Sequence, residues 1–327
     1  MAADRPGEFE LIAKHFAPLA RGFPGANGLK SDIAVLSPPA GYELIVKTDA
    51  VIAGVHFLPD DPAESIGRKA LRVNLSDIAA GGGAPYAYQM ALALPSDWKE
   101  EWVARFCAGL AEDQREFNVH LSGGDTVATP GPLMVSITAF GLVPKGAAMT
   151  REGAKAGDDI WITGTVGDAA LGLRALRDDL PSLPDPERRY LIERYRLPRP
   201  RLALAPILRD VARASIDVSD GVLADLGHIC TVSGVGAAIE ATAAPLSPGA
   251  RRLVGADPAL LADLLTAGDD YEILFTASNE RRSGLEGLAR QLGFPLSRLG
   301  RIVSGGKVSV LRFGQPMAIE KSGFRHF

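Results

Sequence analysis

Aspartates beside glycines and apolar runs are the residues of this 327-residue sequence best suited to chemistry. They are Asp32, Asp49, Asp77, Asp125, Asp217 and Asp220. Oxygen donors without histidine or cysteine favour Mg²⁺ or Ca²⁺ over Zn²⁺, and Mg²⁺ commonly shares its coordination shell with substrate phosphates and water. The pattern therefore indicates a magnesium-dependent protein that handles nucleotides. Taken singly, such an aspartate is more often a turn residue or a helix cap than a ligand.

Asp77 is the most informative of these residues because it continues an apolar stripe. Ile66, Ala70 and Val73 recur at helical spacing, and Asp77 takes the next position. An isolated buried carboxylate is too costly, so this side chain must be paired, hydrogen-bonded, protonated or bound to a cation. The alternative is a solvent-facing residue at the end of a helix, next to the glycines at 81–83.

Other phosphate-binding motifs are weak. Residues 25–31 resemble a Walker A fragment but lack both the Gly-Lys pair and the glycine spacing. Residues 163–168 follow a predicted strand and open a predicted helix, so their amides could bind a phosphate, although tight strand-to-helix packing explains them equally well. The nucleotide chemistry is therefore assigned to the aspartates.

Alternating apolar runs predict an α/β chain in two halves. Strands at 44–46, 87–94, 119–121 and 133–143 are separated by helices near 63–80 and 97–116, after an N-terminal helix at 9–19. Past a polar connector at 151–158, strands are predicted at 160–162, 215–218, 237–240 and 271–275. Since a domain commonly has ~150 residues, we predict domains at 1–150 and 151–327.

Composition limits the partners. Hydrophobic residues make up 46% and charged residues 23%, which is typical of a globular protein. A net charge of -4 predicts no nucleic-acid partner and no polybasic contact with lipid. No apolar run approaches the ~20 residues that span a bilayer, and the first residues lack the features of a signal peptide. We therefore predict no membrane partner and a cytoplasmic location.

A weak internal echo suggests a duplication. Residues 74–77 resemble residues 217–220, and residues 123–125 resemble residues 267–269 at a similar separation. Short Ser-Asp and Gly-Asp pairs are common in loops, so chance recurrence is the other explanation.

Read in order, these motifs resemble those of the thiamine-monophosphate kinases, members of the aminoimidazole ribonucleotide synthetase superfamily. The matching segments are residues 7–12, 48–57, 74–80, 123–126, 150–153, 217–221, 268–272 and 323–324. The resemblance implies a two-domain fold, with an α+β N-terminal domain and an α/β C-terminal domain. The first would bind ATP and Mg²⁺ and dimerise, its sheets forming a barrel across a homodimer, and the second would close the active-site cleft.

The resemblance also implies an activity and a set of roles. The γ-phosphoryl group of ATP would pass directly and in line to thiamine monophosphate, assisted by several Mg²⁺ ions, giving thiamine diphosphate. Implied metal ligands are Asp32, Thr48, Asp49, Asp77, Asp125, Asp217 and Asp220, of which Asp32, Asp77, Asp217 and Asp220 would be catalytic. Implied ATP contacts are Gly124, Asp125, Arg151 and Ser219, and implied substrate contacts are His56, Asp269 and Phe324.

The sequence departs from the family pattern twice. Lys30 and Ser31 precede Asp32 where paired aspartates are usual, and Asp269 stands where glutamate is usual. These departures leave the number of metal ions and one substrate contact open. The enzymatic alternative is another ATP-dependent enzyme of the superfamily, such as a purine-pathway cyclo-ligase, and the non-enzymatic one is a nucleotide sensor on the same fold.

Overall fold

The computed structural model describes residues 5–319 and 323–324. The chain divides into two compact units. The first comprises Met1–Ile78 and Gly83–Gly146, and the second comprises Ala79–Gly82 and Ala147–Phe327. Within the part of the chain that is described, no helix is both long and apolar enough to cross a membrane.

The first unit is built on a four-stranded sheet in the order β1-β4-β2-β3. Its strands are β1 (Tyr42–Ile52), β2 (Ala84–Pro95), β3 (His120–Thr129) and β4 (Met134–Pro144). β4 pairs antiparallel with β1 and β2, and β2 pairs parallel with β3. Its helices are α1 (Glu8–Leu11), α2 (Ala63–Ala80) and α3 (Glu100–Phe117), and the last two residues of α2 fall in the second unit.

Helix α2 packs on one face of this sheet, which we call the covered face. A Cβ added at Gly141 would lie 2.6 Å from Ile78 Cγ2 and 3.0 Å from Ile45 Cγ1, so glycine is what lets the helix approach here. We call the opposite face the open face. Because side chains along β1 point alternately to the two faces, Val46 and Thr48 are exposed on the open face. The two faces therefore offer different surroundings to neighbouring residues of one strand.

The second unit has a seven-stranded sheet in the order β11-β10-β7-β9-β5-β8-β6. Its strands are β5 (Asp159–Thr163), β6 (Ala212–Asp217), β7 (Gly236–Glu240), β8 (Ile273–Ala277), β9 (Leu296–Val303), β10 (Val308–Arg312) and β11 (Gln315–Pro316). Its helices are α4 (Asp168–Leu176), α5 (Asp185–Arg196), α6 (Ala205–Val211), α7 (Val222–Ser233), α8 (Pro248–Ala256), α9 (Leu260–Thr266) and α10 (Arg282–Leu288). Apolar residues of β5 are buried on both faces, with Ile160 in one core cluster and Trp161 in another.

Several predicted elements are confirmed. The α/β class holds, α2 has the predicted bounds, and Ile66, Ala70 and Val73 are buried along its stripe. The predicted N-terminal helix is wrong beyond Leu11, because the chain continues as a π turn and then a 3₁₀ turn that contains Pro18. Strands β9, β10 and β11 were not predicted.

Two sites differ from the sequence expectation. Asp49 and Asp125 lie inside β1 and β3, which extend beyond the strands predicted at 44–46 and 119–121. The strand β3 continues because Gly124 brings its backbone against β2: an added Cβ would lie 2.0 Å from the Met90 carbonyl oxygen. The glycines at 123 and 124 therefore lie within a strand, where Gly124 allows close approach to β2, and do not form a turn.

The internal echo is not a structural repeat. Residues 74–77 lie within α2, whereas residues 217–220 run from the end of β6 into the loop before α7. Likewise, residues 123–125 lie inside β3 and residues 267–269 lie in a loop. The duplication hypothesis is therefore wrong for these segments, and the recurrence is one of short motifs.

Candidate functional site

Two carboxylates of the first unit meet on the covered face around a lysine. Lys47 and Asp49 are two residues apart on β1 and share that face, while Asp77 reaches it from α2. The Lys47 ammonium nitrogen lies 3.2 Å from Asp49 Oδ1 and 3.2 Å from Asp77 Oδ2. Asp77 thus has a charge partner on its apolar stripe, as the burial argument requires.

Asn74 fixes the positions of these two carboxylates. Its side chain is fully buried, and its Oδ1 accepts a hydrogen bond of 3.0 Å from the Asp49 backbone amide. Its Nδ2 donates to the Ala70 carbonyl oxygen at 3.0 Å, which holds the amide in one orientation. Asn74 therefore ties β1 to α2 one helical turn before Asp77.

His56 closes the turn that follows β1. Its Nδ1 accepts a hydrogen bond from the Ile52 amide at 3.1 Å, and its own amide donates to the Ile52 carbonyl oxygen at 2.9 Å. An imidazole that accepts at Nδ1 is neutral and carries its hydrogen on Nε2. These two hydrogen bonds fix the half-buried ring of His56 in the turn that follows β1.

Asp32, Gly124 and Asp125 line a cavity of about 1040 Å³ on the open face of the first unit. Its other wall comes from the N-terminal segment, where the Val35 amide donates to the Gly25 carbonyl oxygen at 2.9 Å. Asp32 and Asp125 are exposed to this space. The cavity is large enough for a nucleotide-sized ligand.

The structure separates the predicted metal ligands of the first unit into two groups. Thr48 lies on the open face, where its hydroxyl is 2.8 Å from that of Thr138, whereas its neighbour Asp49 lies on the covered face. Asp125 pairs in register with Ala91 and shares the open face. Strand alternation therefore prevents the Thr48 hydroxyl and the Asp49 carboxylate from reaching one ion within this unit.

Three predicted site segments of the second unit are joined by backbone hydrogen bonds. The Asp269 amide donates to the Ser219 carbonyl oxygen at 2.8 Å, and the Phe324 amide donates to that of Asp220 at 3.0 Å. The Val218 amide also donates to the Glu272 carbonyl oxygen at 2.7 Å. Asp217, Ser219, Asp220, Asp269 and Phe324 are thereby brought together although they span more than a hundred residues of sequence.

Asp225 supports the loop that carries Ser219 and Asp220. Its buried Oδ2 accepts hydrogen bonds of 3.1 Å from the amides of both Asp220 and Gly221. Burial, reinforced by the negative charge of Asp217, raises the pKa of Asp225 to about 8. Among the described residues, Asp225, Asp220 and the exposed His228 also present ligand atoms within 4.8 Å of one another.

Arg151 lies on the segment that runs alongside β6. The Ser215 amide donates to the Thr150 carbonyl oxygen at 2.9 Å, and Ser233 accepts from the amides of Gly153 and Ala154 at 3.2 Å. The Arg151 side chain is exposed at this position. The backbone on both sides of Arg151 is therefore fixed beside β6, where Ser215 lies two residues before Asp217, while the guanidinium stays available to solvent.

The loop that carries Asp269 is held by buried acids. Asp269 and Tyr271 have φ values of 75° and 51°, in the left-handed region, which aspartate tolerates better than most residues. Between them, Asp270 is 1% exposed and accepts from the amides of Gly167 and Ala169 at 2.6 and 3.1 Å. Burial, with a further contribution from Asp168, raises the pKa of Asp270 to about 8.

Glu272, the last residue of this segment, lies in a buried ion-pair network. It accepts hydrogen bonds from Arg194 Nη2 at 2.9 Å, from Arg201 Nε at 2.6 Å and from the Thr163 hydroxyl at 2.6 Å. Arg194 also donates to the Asp270 carbonyl oxygen at 3.0 Å. The network therefore holds Asp270 and Glu272, the residues on either side of Tyr271.

Sequence reasoning gave no role to the residues that support the site, although three of them fall within the matching segments 74–80 and 268–272. They are Lys47, Asn74, Asp225, Asp270 and Glu272. A signal existed for Asp225, which interrupts the buried apolar pattern of α7, in the same way that Asp77 interrupts that of α2. No comparable signal marks Lys47, since a lysine within a strand whose residues are mostly exposed or half-buried is ordinary.

The donor chemistry fits a hard divalent cation. The carboxylates around Lys47 offer oxygen atoms alone, and the bridging ammonium shows that the pair of negative charges accommodates a cation between them. Separately, Asp217 and Asp220 place carboxylates at the end of β6 in the second unit. In each unit, carboxylate oxygens are donors that suit Mg²⁺ when phosphates complete its shell.

Comparison with known proteins gives matches over nearly the whole chain. The family model described as AIR synthase related protein, N-terminal domain, matches residues 30–143. The thiamine-monophosphate kinase of Caulobacter vibrioides is 39% identical, with the match covering 99% of this chain and 92% of that protein.

Solved structures give the same result. The crystal structure of thiamine-monophosphate kinase from Stenotrophomonas maltophilia K279a is 41% identical with a TM-score of 0.79, and the match covers 88% of this chain and 91% of that one. AaThiL, solved in complex with AMPPCP and TMP, is 28% identical with a TM-score of 0.77, and the match covers 98% of this chain and 97% of that one.

Proposed function

We propose that this chain, which belongs to the thiamine-monophosphate kinase family, transfers the γ-phosphoryl group of ATP to thiamine monophosphate. The products are thiamine diphosphate and ADP. Similarity over nearly the full length of the relatives supports an activity of the whole chain. The AMPPCP and TMP bound by AaThiL correspond to the nucleotide and the acceptor of this reaction.

The single observation that carries the proposal is the hydrogen-bonded assembly of the second unit. It gathers carboxylates, a serine and an exposed aromatic ring from three distant segments. Asp217 and Asp220 would bind metal, Ser219 would contact ATP, and Asp269 would contact the acceptor. Phe324, whose side chain is 48% exposed, would stack on a ring of thiamine.

The chemistry needs charge neutralisation more than proton transfer. The acceptor oxygen belongs to a phosphate that is already anionic near neutral pH, so no general base has to activate it. The obstacle is the repulsion between two polyanions brought in line. Several bound Mg²⁺ ions would supply Lewis-acid neutralisation of the phosphates, and the exposed guanidinium of Arg151 would add a further positive charge.

The first unit would contribute the rest of the nucleotide and metal site. Asp32, Gly124 and Asp125 would serve from the open-face cavity, and Asp49 and Asp77 from the covered face. His56 would donate from Nε2 to the acceptor. The Thr48 hydroxyl is a weaker candidate ligand, because it contacts Thr138 on the face away from Asp49.

A homodimer completes the proposal. Val46 on β1 and Val127 on β3 are 59% and 47% exposed on the open face, one on each edge strand of the sheet. Exposed apolar positions along unpaired edges favour coverage by a partner. A second copy would close the two sheets into a barrel, with residues 1–150 as the dimerising and ATP-binding part and residues 151–327 closing the cleft. Because ATP is a cytosolic substrate, the enzyme would act in the cytoplasm.

The direct test supplies purified protein with ATP and Mg²⁺ and quantifies thiamine diphosphate and ADP by chromatography. We expect the two products in equal amounts when thiamine monophosphate is present. Free thiamine should react poorly, because its acceptor oxygen is then a neutral hydroxyl. Asp77→Asn should lower kcat by about a hundredfold or more, whereas Asp97→Asn, at an exposed position of the same unit, should not. Equal turnover of free thiamine, or ADP release independent of any thiamine compound, would contradict the proposal.

A further inference from the structure

Lys47 lies where the proposed metal site concentrates negative charge. Its ammonium nitrogen is 3.2 Å from one carboxylate oxygen of Asp49 and 3.2 Å from one of Asp77. Neither the motif resemblance nor the proposed mechanism gives this residue a role. It is nonetheless the cation that separates two carboxylates which would otherwise repel each other.

The two carboxylates have little freedom to relax away from each other. Asp49 lies inside a paired strand, and Asp77 lies in the last turns of an 18-residue helix. The buried Asn74 side chain joins the two elements through the Asp49 amide. The backbone therefore keeps the two negative charges close together, and a cation between them offsets their repulsion.

Lys47 itself is able to leave. The Lys47 side chain is 32% exposed to solvent, and lysine carries a compact ammonium on a flexible four-carbon stem. The Asp49 and Asp77 side chains are 34% and 18% exposed, so solvent and ions reach the two carboxylates. A divalent ion carries twice the charge of the ammonium and coordinates oxygen directly, so it displaces the lysine at sufficient concentration.

We propose that Lys47 is a tethered cation that holds the position between Asp49 and Asp77 until a divalent metal displaces it. The inference rests on the proposed function, because it takes these carboxylates as Mg²⁺ ligands. Lys47 acts through the carboxylates and is a positioning residue. Its presence stabilises the metal-free site and weakens the affinity for the free ion, since metal binding must break its ion pairs with Asp49 and Asp77.

The test measures metal binding without nucleotide or turnover. Lys47→Met keeps a long side chain and removes the charge, and free Mn²⁺ is followed by electron paramagnetic resonance during a titration. Two ion pairs of this exposure correspond to about a two- to thirtyfold lower Kd for Mn²⁺ in the variant. In the absence of metal, the variant should also unfold at a lower temperature than the wild type, and Mn²⁺ should raise its Tm by more.

Matched variants assign the effect to this site. Lys145→Met makes the same change of charge at an exposed position of the same unit, and its Kd should stay at the wild-type value. The gain in affinity on Lys47→Met should disappear in an Asp77→Asn background. If Lys47→Met is poorly folded by circular dichroism, Lys47→Gln replaces it with the same expectation.

An unchanged or weaker Mn²⁺ affinity in the folded Lys47 variant would overturn the inference, as would an equal gain in Lys145→Met. Failure to bind Mn²⁺ in wild type and variant alike would overturn it too. These outcomes are independent of the proposed activity, which is judged by thiamine diphosphate formation in the wild-type protein. If the protein forms thiamine diphosphate but its Mn²⁺ affinity does not change on Lys47→Met, the inference is refuted and the proposed function is not.

Discussion

Glu272→Gln tests whether the buried network beneath the Asp269 loop stabilises the second unit. Glu272 is fully buried, and both of its carboxylate oxygens accept hydrogen bonds from arginines. The substitution keeps the shape of the side chain and removes its charge. One arginine then faces an amide nitrogen, which cannot accept a hydrogen bond.

The magnitude follows from what is left behind. Arg194 is 1% exposed, so it keeps a positive charge that neither water nor Glu272 compensates. Breaking one side of a buried ion pair costs about 3–5 kcal/mol, because the remaining charge stays desolvated. The Arg194 and Thr163 contacts use different carboxylate oxygens of Glu272, so the single side-chain oxygen of glutamine can keep only one of them. We therefore expect the free energy of unfolding of the second unit to fall by about 3–5 kcal/mol.

Urea denaturation followed by tryptophan fluorescence measures this effect in the second unit. Of the three tryptophans, Trp161 alone lies in that unit, in β5, and Trp98 and Trp102 lie in the first. Replacing Trp98 and Trp102 by phenylalanine leaves Trp161 as the reporter. Because Glu272 anchors the segment that carries Asp269, the KM for thiamine monophosphate should rise more than the KM for ATP.

Glu187→Gln is the matched control. Glu187 also receives two hydrogen bonds from one arginine, Arg252, at 2.9 Å each, but that pair lies on the surface where water replaces what is lost. A loss below about 1 kcal/mol for Glu272→Gln, or one no larger than that of Glu187→Gln, would refute the reasoning.

Two further predictions also use urea denaturation, with Trp161 as the reporter of the second unit and with Trp98 and Trp102, in a Trp161→Phe background, as the reporters of the first. Burial raises the pKa of Asp270 to about 8, against about 3.9 in an unfolded chain, so the folded state binds the proton more tightly. The stability of the second unit should therefore fall as pH rises from about 4 to about 8. A flat or rising stability profile, or an equally steep fall in Asp270→Asn, would exclude this cause. Gly124→Ala should cost the first unit about 1–3 kcal/mol, because its Cβ would lie 2.0 Å from the Met90 carbonyl oxygen. Gly123→Ala, whose Cβ would meet only Gln89 Nε2 at 3.6 Å, should be nearly neutral, and equal losses in the two variants would show that strand contact is not the reason.

Local patterns were sufficient where the information lies within one element. The helical spacing of Ile66, Ala70 and Val73 predicted α2 and identified Asp77 as an anomaly, because burial along a helix repeats at short range. The order of the motifs likewise indicated the family, because comparing motifs requires only the sequence. Strand ends were poorly predicted, since the extent of a strand depends on the neighbour with which it pairs.

The sequence by itself therefore determined the α/β class, the helix that carries Asp77, and the family with its substrates. Only the tertiary structure decided which face each strand residue takes, and so separated Thr48 from Asp49 and brought Lys47 between two carboxylates. It also joined Glu272 to arginines some seventy residues earlier in the chain. The physical reason is that a charge is stable in the interior only beside its partner, and the partner's position depends on strand register and packing, which local spacing does not encode.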